Sequence, residues 1–350
     1  MVRIAGVGTA VPPYRYEQAT LTAAAERVWA DRHFNAERIG DLFRAVRVGG
    51  RNLSLPLDRY LRLSGFGEAN RVFHEVGADI GESALRRALD HAGLQAQDVD
   101  AFYFATVTGL STPSLDARLC NRLGLRSDVK RVPIFGLGCA AGAAGVARLY
   151  DYLRGWPAQV AVLLCVELCS LTLQQGDLSV ANLIATGLFG DGAAAVIATG
   201  DGRAAGGPEI VGTRSTLYPN TEHVMGWDIG EWGFKVVLSA AIPEVVRTHV
   251  APDVDRFLAD HRLQRSDVQA WICHPGGPKI IAAFQEALGL RDEDLSVTRR
   301  SLEDVGNLSS ASVLFVLEET LRQARLAAGA YGLLMAMGPG FQSEMVLLRW

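Results

Sequence analysis

Lysine is nearly missing from this chain: of 34 Lys and Arg residues among 350, only Lys130, Lys235 and Lys279 are lysine. With alanine so common, that skew marks a GC-rich coding sequence rather than a function. No basic run stands out and the formal net charge is −4, which argues against nucleic acid as a partner. Cysteine is sparse as well, the five being Cys120, Cys139, Cys165, Cys169 and Cys273. An odd number in a chain of this size argues against a disulfide framework, points to a reducing cytoplasm, and makes a free reactive thiol worth seeking. The start, MVRIAG, lacks the pattern of a targeting segment. The longest low-charge stretch, 132–147, is glycine-rich and shorter than the roughly 18 residues a membrane span needs. No Cys-x-x-Cys or His-Glu-x-x-His spacing suggests a metal, and no Gly-x-Ser-x-Gly elbow suggests a serine hydrolase.

What remains is an ordinary globular composition, 49% hydrophobic and 21% charged, with enough chain for one large or two medium domains. It also contains a repeat. Residues 90–102 read DHAGLQAQDVDAF and residues 260–271 read DHRLQRSDVQAW. In both, a helix ends, a polar loop follows and an apolar strand begins; Asp98 and Asp267 stand 169 apart. Residues 136–147, GLGCAAGAAGVA, and 305–317, VGNLSSASVLFVL, match at nearly that offset, with Gly138-Cys139 and Gly306-Asn307 168 apart. Strands alternate with helices in each half. The expectation is a duplicated α/β fold with mixed, largely parallel sheets, covered by helices on both faces and divided at 1–203 and 204–350. Pseudo-twofold halves bring equivalent loops together. Cys139 then faces Asn307 across one cavity, and Thr106 faces His274.

Cys139 sits between glycine and alanines where a helix begins, and the helix dipole there favours thiolate. A buried structural cysteine is the bland reading, and it suits Cys120, Cys165 and Cys273. His274 ends an apolar strand before Pro-Gly-Gly-Pro, where α/β folds place sites. His33, His74, His91, His223, His249 and His261 read as surface residues. Asn307 alone reads equally as a helix N-cap. Together the three form a chemical unit: a thiolate takes an acyl group, while His and Asn donate to a second thioester carbonyl as enolate charge develops on it. The segment GDGAAA at 190–195 mimics a dinucleotide fingerprint, but it opens a strand and is rejected.

At these residues the sequence resembles the type III polyketide synthases, the chalcone synthase-like branch of the thiolase superfamily. The resemblance rests on Gly-Cys-Ala-Ala-Gly at Cys139, Leu-Phe-Gly-Asp-Gly-Ala-Ala-Ala at 188–195, His-Pro-Gly-Gly-Pro at His274, Gly-Asn-Leu-Ser-Ser-Ala at Asn307 and Gly-Pro-Gly at 338–340. It implies a five-layer αβαβα thiolase-like fold and a catalytic triad of Cys139, His274 and Asn307. It further implies an acyl-CoA starter, malonyl-CoA extender, no cofactor and no metal, and a homodimer with Thr112-Pro113 near its interface. Phe189 and Phe234 fall at gatekeeper positions. Arg44, Arg47 and Arg51 take the places of a clamp for CoA phosphates, with Lys279 at the tunnel mouth; a solvated helix face is the bland reading of the arginines. The cavity wall carried over comprises Thr106, Val107, Thr108, Cys169, Thr172, Ser309, Gly338, Pro339 and Gly340. Val107, Cys169 and the segment Met225–Gly230 depart from the plant pattern, and that segment looks like bacterial members that make alkylpyrones or alkylresorcinols from fatty acyl starters. The rival readings are a ketoacyl synthase performing one condensation and a non-catalytic thiolase-fold partner. Hydroxymethylglutaryl-CoA synthase would need a general-base Glu, and the sequence does not locate one.

Overall fold

A computed structural model of the chain describes residues 1–29, 37–203, 206–323 and 326–350. His33, and residues 204–205 at the expected division of the chain, lie outside them. The strands in chain order are β1 (Val2–Ala10), β2 (Tyr14–Glu17), β3 (Gly50–Leu53), β4 (Ala101–Ala105), β5 (Lys130–Ile134), β6 (Val160–Leu168), β7 (Asp191–Thr199), β8 (Glu209–Leu217), β9 (Met225–Gly230), β10 (Gly233–Leu238), β11 (Val268–Cys273), β12 (Tyr331–Gly338) and β13 (Gln342–Arg349). The helices are α1 (Gln18–Trp29), α2 (Glu37–Ala45), α3 (Leu57–Tyr60), α4 (Phe66–Ala92), α5 (Leu115–Leu123), α6 (Ala141–Gly155), α7 (Val180–Leu188), α8 (Ile242–Asp260), α9 (Pro278–Leu288), α10 (Ser296–Val305) and α11 (Ser312–Gln323).

Nine strands form one sheet in the order β11-β12-β13-β8-β1-β7-β6-β4-β5. Its two sides meet where Val2 and Arg3 pair with Ile210 and Glu209. Outward from that seam the order repeats. β1, β7, β6 and β4 on one side correspond to β8, β13, β12 and β11 on the other. In each set the first three run antiparallel in turn and the fourth lies parallel to the third. β5, parallel to β4, has no counterpart among the described residues. The repeat is visible down to single hydrogen bonds: Gln95 N–H donates to Asp98 at 2.9 Å and Gln264 N–H to Asp267 at 2.8 Å. Each pair caps a short 3₁₀ turn that feeds β4 or β11. The expected division falls between the end of β7 and the start of β8.

Two expectations change. The sheet is mixed but mainly antiparallel, because each half returns its last strands against the first instead of crossing over again. The second offset also shifts. The turn Gly138–Ala140 leads into α6, and its counterpart Ser309–Ala311 leads into α11. Asn307 therefore precedes the equivalent turn rather than occupying the place of Cys139. Thr106 and His274 keep their equivalence, each being the first residue after its strand.

The layers follow from which faces are apolar. β6 and β7 are buried at every residue, as strands covered on both faces must be. One buried cluster joins α4 to the outer face of the first half-sheet, through Leu85, Leu89, Phe102 and Phe104. A second surrounds the central helices α6 and α11, and a third joins α8 and α9 to the second half-sheet. Helices, sheet, helices, sheet and helices thus alternate. Burying one Phe or Leu is worth about 1.5–3 kcal/mol relative to exposure, so these three clusters supply the main driving force for closure.

Candidate active site

Two close approaches assemble the site. Gly138 has φ +49, and a Cβ there would meet Pro339 Cδ at 2.6 Å. Glycine therefore lets the loop between β12 and β13 close over the neighbouring thiol. A Cβ on Gly142 would stand 2.3 Å from the Ser310 carbonyl oxygen, so α6 rests directly on the turn before α11. That contact sets Ser309 Oγ 3.6 Å from Cys139 Sγ. Ser309 has φ +49, a conformation that costs a residue with a side chain. Its N–H donates to Asn307 Oδ1 at 2.8 Å, which holds it there. The Asn307 amide donates to the Gly276 carbonyl at 3.4 Å, and its backbone is bonded to Leu188 and Gly190, each at 2.9 Å. Asn307 and Phe189 are thereby held side by side. The His274 N–H donates to the Met335 carbonyl at 2.9 Å.

Cys139, His274 and Asn307 line one cavity of about 480 Å³, together with Val107, Cys169, Phe189, Ser309 and Pro339. A second cavity of about 640 Å³ lies beside it. Cys169, Phe189, Trp227 and Val236 line both and form the wall between them. Trp227 and Val236 are cross-strand partners in the β9–β10 hairpin, so one register contact supplies half of that wall.

Burial governs the electrostatics. It pushes the Cys139 thiol up to about 12, more than Ser309 and Asn307 lower it. It pushes the His274 imidazole down to about 3. Loss of water is the largest influence on this enclosed thiol, and it opposes the thiolate that the helix-start position is expected to favour. Both groups are held neutral, and both ring nitrogens of His274 are buried without a hydrogen-bond partner among the described residues. A buried imidazole left unsatisfied has capacity reserved for something entering the cavity.

The remaining candidates divide. Thr172 lines the second cavity and Lys279, exposed, the first. Arg44 and Arg47 are exposed at the end of α2, flanking Ala45 and Val46, which line the first cavity. Arg51 does not join them. It is 3% exposed, and its Nη1 donates to the carbonyls of Thr186 and Phe189, each at 2.6 Å. It faces the interior because β3, unlike α2, is buried along its whole length. Phe234 packs edge-on against Phe66 at 5.4 Å and lies 5.9 Å from Trp227, so it supports the wall through Trp227 and lines neither of the two cavities. Thr106 and Thr108 turn away from the cavity and donate to Glu167, at 3.3 and 2.8 Å. Gly338 and Gly340 shape the loop backbone while Pro339 alone of the three lines the cavity. Cys165 and Cys273 are fully buried and Cys120 half-buried. His249 is half-buried, stacked on Tyr218 at 4.8 Å, rather than a surface residue.

Glu167 is a further residue of the site, beyond those expected from the sequence. It is fully buried beneath the cavity wall, accepts from Val107 N–H at 3.1 Å and Ser310 Oγ at 2.5 Å, and is raised by burial to about 7. A carboxylate interrupting the apolar strand VAVLLCVEL was the signal available. Trp227 is not legible as a wall residue from sequence, because its role depends on a pairing with Val236 that residue identity does not state.

Comparison with known proteins fits this arrangement. The N-terminal domain of the chalcone and stilbene synthases matches residues 68–202 and their C-terminal domain matches residues 209–350. A 1,3,6,8-tetrahydroxynaphthalene synthase of Streptomyces peucetius is 53% identical over 99% of this chain and 93% of its own length. A putative chalcone synthase of Bacillus subtilis is 36% identical over 100% of this chain and 99% of its own length. The crystal structure of the 1,3,6,8-tetrahydroxynaphthalene synthase of Streptomyces coelicolor superposes with a TM-score of 0.95 at 32% identity, covering 99% of each chain. A full-length relative above half identity, both domain matches and a site of this kind leave one conclusion: the chain belongs to the chalcone and stilbene synthase family, the type III polyketide synthases, acyltransferases that carry out decarboxylative condensation with malonyl-CoA.

Proposed function

We propose that the chain primes itself with malonyl-CoA and extends that starter with malonyl-CoA to 1,3,6,8-tetrahydroxynaphthalene. The observation that carries the reading is the 53% identity, over 99% of the chain, with a synthase of that product. Carbon arithmetic agrees: a naphthalene's ten ring carbons equal five two-carbon units, so malonyl-CoA alone accounts for them.

The site chemistry supports each step. Cys139 attacks the starter thioester and CoA leaves as the thiol. His274, held neutral, has a lone pair to take the Cys139 proton and an N–H to donate. On the next malonyl thioester, His274 and the Asn307 amide donate to the carbonyl as CO2 departs, and the resulting enolate attacks the acyl group on Cys139. Asn307 suits this step because its amide donates without competing for a proton, and its existing bond to Gly276 is long. Lys279, which lines the cavity, and the exposed Arg44 and Arg47, which flank the lining residues Ala45 and Val46, are the cations offered to CoA phosphates. A homodimer is supported by β5, an edge strand exposed at four of five residues, with Val132 within it 38% exposed and Phe135 just after it 49% exposed.

A second reading, a fatty acyl starter closing to an alkylpyrone or alkylresorcinol, is favoured by the second cavity, whose wall includes Leu21, Val28, Trp29, Leu57 and Leu61. Product analysis separates the two. With malonyl-CoA alone the first reading expects the naphthalene tetrol. A requirement for an added fatty acyl-CoA, with alkyl-substituted pyrone or resorcinol as the product, would reject it in favour of the second.

A further inference from the structure

The second cavity contains a charge that an alkyl tail would not satisfy. Arg51 lines it, is almost fully buried, and is lowered by burial only to about 10, so it remains a cation at neutral pH. Its Nη1 is used on the carbonyls of Thr186 and Phe189. Its Nε is buried with no hydrogen-bond partner among the described residues. The nearby anion is Asp191, but that carboxylate is engaged elsewhere. Its Oδ2 accepts from Ser54 N–H at 2.7 Å, from Ser54 Oγ at 2.5 Å and from Ser170 Oγ; its Oδ1 accepts from Ser170 N–H at 2.7 Å. Asp191 therefore attracts Arg51 through space and leaves its Nε without an acceptor. A buried donor without an acceptor is costly, and a carboxylate is the partner whose geometry the guanidinium fork matches. Arg27 and Asp58 also line this cavity, but both are exposed.

We infer that Arg51 forms an interior anion site in the second cavity and receives the terminal carboxylate of the growing chain. The inference rests on malonyl priming. A malonyl starter transferred intact to Cys139 keeps its carboxylate. Each condensation inserts two carbons next to the sulfur, so the carboxylate moves away from Cys139. The wall of Cys169, Phe189, Trp227 and Val236 is common to both cavities, and Arg51 holds the Phe189 backbone in that wall. Four extensions of a three-carbon starter give eleven carbons. Loss of the terminal carboxylate as CO2 at ring closure leaves the ten of the naphthalene. Pairing with Arg51 keeps that carboxylate ionised and in place until then, and favours carboxylate-ended chains over methyl-ended ones.

The test compares malonyl-CoA alone with hexanoyl-CoA plus malonyl-CoA in wild type, Arg51→Met and Arg51→Lys. The ratio of malonyl-primed to hexanoyl-primed turnover should fall at least tenfold in Arg51→Met and recover in part in Arg51→Lys. An unchanged ratio overturns the inference, and a folding defect common to both reactions cancels in it. A second arm needs no variant: loading of wild-type Cys139 by succinyl-, glutaryl- and adipyl-CoA is compared by intact mass with loading by methyl-ended chains of equal length. Preference for the carboxylate-ended chain at one or more lengths supports the site. No such preference at any length overturns it. If wild type makes no product from malonyl-CoA alone, malonyl priming itself fails, whatever the loading series gives.

Discussion

Asn307 has two chemically different ends, and the protein uses them differently. Its Oδ1 accepts from Ser309 N–H and fixes the strained turn beside Cys139, while its amide faces the cavity with one long bond to Gly276. Asn307→Ala should leave starter loading detectable by intact mass and cut malonyl decarboxylation about 10²–10³-fold, the usual loss for one enolate-stabilising donor. Undiminished CO2 release would mean that Asn307 only caps the turn. Glu167 makes a different prediction. Its carboxyl titrates at about 7 in the fold against an ordinary 4.5, so the folded state binds the extra proton between those values. Stability from this group is present below about pH 4.5 and lost as pH rises through 7. Glu167→Gln removes that loss, and its advantage over wild type in urea unfolding should grow by roughly 3 kcal/mol between pH 4.5 and 8. A pH-independent difference would show that Glu167 is not held protonated by burial.

At the scale of elements, what could be read from residues was local and what could not was relational. The two Gln/Asp-capped turns before β4 and β11 are written in DHAGLQAQD and DHRLQRSD, and their strands began where the apolar runs begin. Cys139, His274 and Asn307 were legible for the same reason, each lying at the end of an element that the sequence punctuates. Arg51 was not: three arginines at helical spacing look alike, and only the pairing of β3 turns the third inward. The surroundings of Phe234 are relational too, since Phe66, 168 residues earlier in the chain, packs against its ring. The contact between α6 and the turn before α11 gives this scale its test. Gly142→Ala puts a methyl into the Ser310 carbonyl and against Val313 Cγ1 at 2.8 Å. It should cost about 1–3 kcal/mol in urea unfolding and slow Cys139 loading by displacing Ser309. Wild-type stability and loading would show that the helices have room to separate.

For the whole molecule, duplication explains why one chain can enclose a reaction. Two copies of a strand set, joined through a two-residue seam, place α6 and α11 back to back and leave the cavity lined by Cys139, His274 and Asn307 near the turns that start them. Among the described residues no helix is long and apolar enough to cross a membrane. The exposed edge β5 gives the assembly its most direct test: Val132→Lys combined with Phe135→Asp should sediment as a monomer if wild type pairs through that edge, and a dimer in the variant would move the interface elsewhere. The account depends most on Cys139 as the residue that carries the growing chain. Intact-mass and peptide mapping after brief exposure to malonyl-CoA tests this. An acyl adduct confined to Cys139, absent from Cys139→Ala, is the predicted result. An adduct that persists in Cys139→Ala, or that maps to Cys169, would contradict it.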